Sequence, residues 1–109
     1  MDIDWNDPKI ADQIRIDQAM ARAMIDFIPE SWEAAEWRLT WLPKPRTISH
    51  LVVNPDTGAG WTVSQEMVDL AILLDEHRRK YDLQWRSAIY SVRLDEEGNW
   101  QANANFTFE

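Results

Sequence analysis

The side chains of this chain that could do chemistry are carboxylates, two histidines and a few hydroxyls, with no cysteine at all. Lacking a thiol, the chain can form no disulfide, thiolate zinc site or cysteine nucleophile. His50 and His77 fall on different predicted elements with no close second ligand, so both read as hydrogen-bonded structural histidines. No serine sits in a glycine elbow with a histidine base and an orienting acid to follow. Gly58, Gly60 and Gly98 lack a following Lys-Ser/Thr, so they are turn glycines and form no phosphate loop. Asp2, Asp4 and Asn6 imitate the opening of a calcium loop, but Asp7 stands where glycine is required and Gln13 where the bidentate Glu belongs. Arg78-Arg79-Lys80 is matched one helical turn earlier by Asp75 and Glu76, which explains it by intrahelical pairing rather than by phosphate contact. One pattern has enzymatic character: Trp32, Glu33, Glu36 and Trp37 place acids beside aromatic rings, as sugar-binding and sugar-cleaving sites do. The competing reading puts Trp37 in the core and both acids in water. The residues therefore predict no enzyme, no cofactor and no metal.

Charge and aromatic content point to a protein partner instead. Nineteen acids against eleven bases give a net charge of -8, which repels nucleic acid and anionic membranes and favours a basic protein. Seven tryptophans in 109 residues exceed what so small a core is expected to absorb, and surplus tryptophan is favoured at protein contacts. The candidate contact residues are Trp32 and Trp61 as aromatic anchors, with Glu33, Glu36, Asp95, Glu96 and Glu97 as acids clustered at strand ends. No stretch approaches the ~18 apolar residues that span a bilayer. The acidic start lacks the basic and apolar segments of a secretory signal, so a cytoplasmic location is expected.

The elements that must position these residues can be read from periodicity. Asp7-Pro8 signals a helix start, and Ile10, Ile14, Ala21, Met24 and Ile28, widened by Met20, Ala23 and Phe27, form its apolar stripe up to Pro29. The period then changes to two: Ala35, Trp37, Leu39 and Trp41 alternate with polar residues. A turn at Pro43-Lys44-Pro45 and a strand from Thr47 to Val53 follow. Asn54 to Gly58 is turn chemistry, with a short strand around Gly60-Trp61-Thr62. Ser64 caps a second helix, with Val63 and Val68 as a staple and Met67, Leu70, Ala71, Leu74 and Tyr81 as its stripe. Two strands close the chain. Ala88, Tyr90, Val92 and Leu94 lie on one face of the first, and Trp100, Ala102, Ala104, Phe106 and Phe108 on one face of the second. The expected architecture is α+β: one domain over residues 1–109, with an antiparallel sheet of four or five strands and two helices on one face. The order is α-β-β-(β)-α-β-β. Trp37, Trp100 and Phe106 are expected in the core against Met24, Ile28, Leu70 and Leu74.

Some of these residues also resemble a known family, the YezG-like immunity proteins of bacterial polymorphic toxin systems. Ile28-Pro29-Glu30-Ser31-Trp32 resembles that family's Ile-Pro-x-x-Trp element, and Trp85 occupies a similar place after the second helix. Gly98-Asn99-Trp100 leading to Phe106-Thr107-Phe108-Glu109 resembles its terminal strand, although the family often has Tyr, followed by acids, where this chain has Phe108. The likeness runs from about Ile10 to Glu109 and rests on core and turn residues. It implies a small cytosolic protein that binds and neutralises a toxin domain, often a nuclease, without assigning any inhibitory residue.

Overall fold

A computed structural model describes residues 6–43 and 46–108. Asp2 and Asp4 of the calcium-like pattern, Trp5, most of the Pro43-Lys44-Pro45 turn and Glu109 lie outside these residues. Helix α1 (Pro8–Phe27) starts as its sequence dictates: proline needs no amide donor in the first turn, and the Asp7 carboxylate accepts from the Lys9 amide at 3.0 Å. Its central buried row is Ile16, Met20, Met24 and Ile28, at four-residue steps, with Ala23 beside it. Ile10 and Ile14 are only half-buried, and Ile16 takes the place expected of them. Helix α2 (Gln65–Lys80) begins at Ser64, whose hydroxyl accepts from the Met67 amide at 3.2 Å, and buries Met67, Ala71 and Leu74.

Five strands follow the expected order: β1 (Ala34–Pro43), β2 (Arg46–Val53), β3 (Gly60–Trp61), β4 (Ser87–Leu94) and β5 (Trp100–Thr107). They form one antiparallel sheet in the order β3-β2-β1-β4-β5. Alternation decides the faces. Ala35, Trp37 and Leu39 of β1, Val52 of β2 and Ala88, Tyr90 and Val92 of β4 meet the two helices. The opposite face carries Arg38, Thr40, Ser91, Arg93, Asn103 and Asn105 and is left to water.

Two expectations need correction. Trp100 and Phe106 are half-buried rather than fully so, because β5 is an edge strand with only one neighbour to cover it. Leu70 is likewise half-buried. Asp75 pairs with Arg79 at 3.1 Å, but Glu76 and Lys80 do not pair; the Lys80 ammonium lies 5.3 Å from the Tyr81 ring centre instead.

The helices run antiparallel, since the His77 ring donates from Nε2 to the Lys9 carbonyl at 3.1 Å and Arg78 donates to the Gln13 amide oxygen at 3.3 Å. This gives the molecule two chemically different ends. One holds the end of α1, the start of α2 and the β2–β3 and β4–β5 turns. The other holds the start of α1, the end of α2 and the start of β4. No helix among the described residues is long and apolar enough to cross a membrane.

Candidate functional site

Most of the residues singled out in the sequence gather at the first of these ends. The chain leaves α1 at Ile28, turns at Pro29 through a Trp32 amide to Pro29 carbonyl bond of 3.0 Å, and enters β1. That turn faces Trp61 on β3. The ring centres of Trp32 and Trp61 are 6.3 Å apart, and those of Phe27 and Trp61 are 6.5 Å apart, all tilted as aromatic pairs prefer. The Trp61 indole donates to the Phe27 carbonyl at 3.0 Å, which satisfies one of the helix-end acceptors and fixes the ring. Trp61 still exposes 45% of its surface. A pinned, half-exposed indole on an aromatic base can receive a partner side chain with little ordering cost.

Acids share this end of the molecule because the topology brings four segment ends to it, with the β4–β5 turn lying across the sheet from Trp61. Asp26 and Glu30 come from the end of α1, and Glu66 and Asp69 from the start of α2. Glu33 precedes β1, and its carbonyl accepts from the Leu94 amide at 2.8 Å, which ties it to the β4–β5 turn holding Glu96 and Glu97. The cations at this end are occupied: Arg22 with Asp26 at 3.6 Å, and Arg93 with Asp56 through two bonds of 3.0 and 3.1 Å. That second pair holds the Asp56 carboxyl below the usual range, chiefly through the hydrogen bonds from Arg93.

Two residues expected in the rim have other roles. Asp95 turns its carboxylate inward, accepting from the Asn99 and Glu97 amides at 2.8 and 2.9 Å and from the Gln101 side chain at 3.1 Å. These bonds, that from Asn99 first, lower its pKa. Asp95 builds the turn and leaves Glu96 and Glu97 to face the solvent. Glu36 belongs to the open face of the sheet, where Arg38 holds it at 2.6 Å. It lies apart from Trp32 and Trp61. The sugar-platform pattern also loses Trp37, which is fully buried.

Sequence reasoning missed three polar clusters in the interior. Asp17 accepts from the Tyr90 hydroxyl at 2.6 Å and from Gln13 at 2.7 Å, and burial, the largest effect, raises its pKa. Asp75 is buried and accepts from Trp85 and Arg79, both at 3.1 Å. The Trp37 indole donates to His50 Nδ1 at 3.1 Å, and burial lowers the pKa of that histidine. All three have structural partners, and none presents a nucleophile or an acid–base pair to solvent. Among the described residues no group of three or more His, Asp or Glu side chains could hold a metal ion. No protein-family model matches this chain, and no curated protein does.

Proposed function

We propose that this chain is an immunity protein that binds a basic bacterial toxin domain in the cytoplasm and neutralises it by direct contact, without catalysis. The observation carrying this reading is the half-exposed Trp61, braced by Phe27 and Trp32 at the end of the molecule where Glu30, Glu33, Glu66, Glu96 and Glu97 are exposed without an ion-pair partner among the described residues. An aromatic anchor inside a charged rim suits protein recognition: the anchor slows dissociation while the rim speeds encounter. The net charge of -8 suits a toxin whose own site must be basic, as a nuclease site is. The resemblance to YezG-like immunity proteins points the same way.

The test is co-expression with the product of the adjacent gene, followed by co-purification and a toxicity assay. The chain should rescue growth and co-purify with that product, and Trp61→Ala should weaken both effects. A toxin-like neighbour that kills cells equally with and without this chain would overturn the proposal.

A further inference from the structure

Among the described residues β5 is the last strand on its side of the sheet, and no strand pairs with its outer edge. Asp95 and Asn99 form a hydrogen-bonded pair, and the register runs on through Arg93–Gln101, Ser91–Asn103 and Ile89–Asn105. Bonded and non-bonded pairs alternate in an antiparallel ladder, so the backbones of Gln101, Asn103 and Asn105 face β4. Those of Ala102, Ala104 and Phe106 point outward with donors and acceptors unmet by any strand among the described residues. Edges of this kind are normally guarded by lysine, proline, a bulge or an inward charge. From Trp100 to Thr107 there is none of these, although the chain as a whole carries net charge -8. The opposite edge is treated differently, since β3 covers β2 at Val52 and Val53.

Over the open edge, α1 presents a second apolar row, Ile14, Ala21 and Ile25. Between that row and the small residues Ala102 and Ala104 runs a groove of about 550 Å³. Charge then selects what can lie along it. β5 runs from the acidic end, beside Glu96 and Glu97, to the other end, where the Arg86 amide donates to the Thr107 carbonyl. The Arg86 side chain is exposed and has no ion-pair partner among the described residues. A parallel neighbour would set acidic end against acidic end. An antiparallel copy of the same chain sets Glu96 and Glu97 of each molecule toward Arg86 of the other.

We propose that this edge is a homodimer interface. β5 pairs antiparallel with β5 of a second copy about a two-fold axis, joining the sheets into one, with the two α1 helices packed over the seam. Such an interface is isologous, so a single compatible edge closes the assembly. It does not rest on the toxin-binding reading, whose anchor Trp61 lies on β3, at the opposite edge of the sheet; Glu96 and Glu97 are the acids the two surfaces share.

Sedimentation equilibrium of the full chain at micromolar concentration tests it. Wild type should sediment at twice the chain mass, and added salt should weaken the association. Ala104→Pro removes an outward amide at a position where an edge strand tolerates proline. Ala102→Lys places a charge on an exposed edge position. Each variant should keep its circular dichroism and raise the dimer dissociation constant about tenfold or more, through lost or unsatisfied polar pairing. A wild-type chain that stays monomeric, its edge free for some other protein's strand, overturns the proposal. A dimer that survives Ala102→Lys, or one indifferent to salt, overturns it as well.

Discussion

His50 shows how one contact sets a response to pH. Because the Trp37 indole donates to Nδ1, that nitrogen carries no proton, and the ring is neutral with its hydrogen on Nε2. The two rings also stack at 5.9 Å. Burial holds the folded pKa of His50 below its ordinary value of 6.5. The unfolded chain therefore takes up the proton first as pH falls. Above the ordinary value the titration of this histidine leaves stability unchanged; below it, stability is lost as pH falls toward the folded pKa, and the loss levels off beneath it. Asp75 and Arg79 line the same groove as His50 and are already paired with each other. Asp17 works in the opposite sense at lower pH: its pKa is raised in the fold, so taking up a proton there favours the native state. Urea unfolding at neutral and mildly acidic pH should show a loss that His50→Gln reduces, since glutamine can accept from Trp37 without titrating. An equal loss in the variant would assign the effect elsewhere. Burial also ranks the tryptophans. Trp37→Ala should cost ~3–5 kcal/mol, and Trp100→Ala only about half as much, because its site is half open to water. Equal melting temperatures for the two variants would contradict that ranking.

At the scale of elements, much of the fold could be read from the chain. Asp7-Pro8 and Ser64 carry the capping chemistry that starts α1 and α2, and strict alternation located β1, β4 and β5. Ser64→Ala should cost ~1 kcal/mol of stability, measured by denaturant unfolding, because the Met67 amide loses its acceptor. An unchanged midpoint would mean that Val63 and the following turn hold the helix start without it. Alternation reports which face of a strand is apolar, but not how many neighbours the strand has. That is why Trp100 and Phe106 look more buried in the sequence than they are in the fold: nothing within Trp100–Thr107 marks it as an edge. The interior pairs Asp17–Tyr90 and Asp75–Trp85 were illegible for a related reason, since they join residues on different elements. The candidate site was half legible. Its acids stood out at segment ends, whereas the packing of Phe27, Trp32 and Trp61 is a product of topology. Glu36 was misplaced because it sits on the polar face of β1.

Across the whole molecule, the charges are sorted by end. Asp26, Glu30, Glu33, Glu66, Asp69, Glu96 and Glu97 share one end with two arginines that are already paired. Lys9, Arg78, Arg79, Lys80 and Arg86 lie toward the other, interspersed with Asp75, Glu76 and Asp82. Such separation orients an approaching basic protein before contact. Against the cognate toxin, joint Glu96→Gln and Glu97→Gln should slow association at low salt and flatten its salt dependence, with little change in dissociation. Trp61→Ala should instead speed dissociation, by ~2 kcal/mol or more if the ring fills a partner pocket. Stopped-flow or surface-based kinetics at two ionic strengths separate the two effects. Association indifferent to both salt and the neutralised pair would reduce the acidic rim to solvated surface.

The unequal shielding of the indoles has a spectroscopic consequence. Of the tryptophans described, Trp61 alone is openly exposed, while Trp37 and Trp85 are shut inside. A neutral collisional quencher such as acrylamide, which the acidic end does not repel, should therefore extinguish mainly the red-edge emission that Trp61 contributes and spare the blue-shifted interior. The chain thus contains its own optical reporter at the place where a partner is expected to land. Loss of the quenchable fraction on mixing would register docking on unlabelled protein.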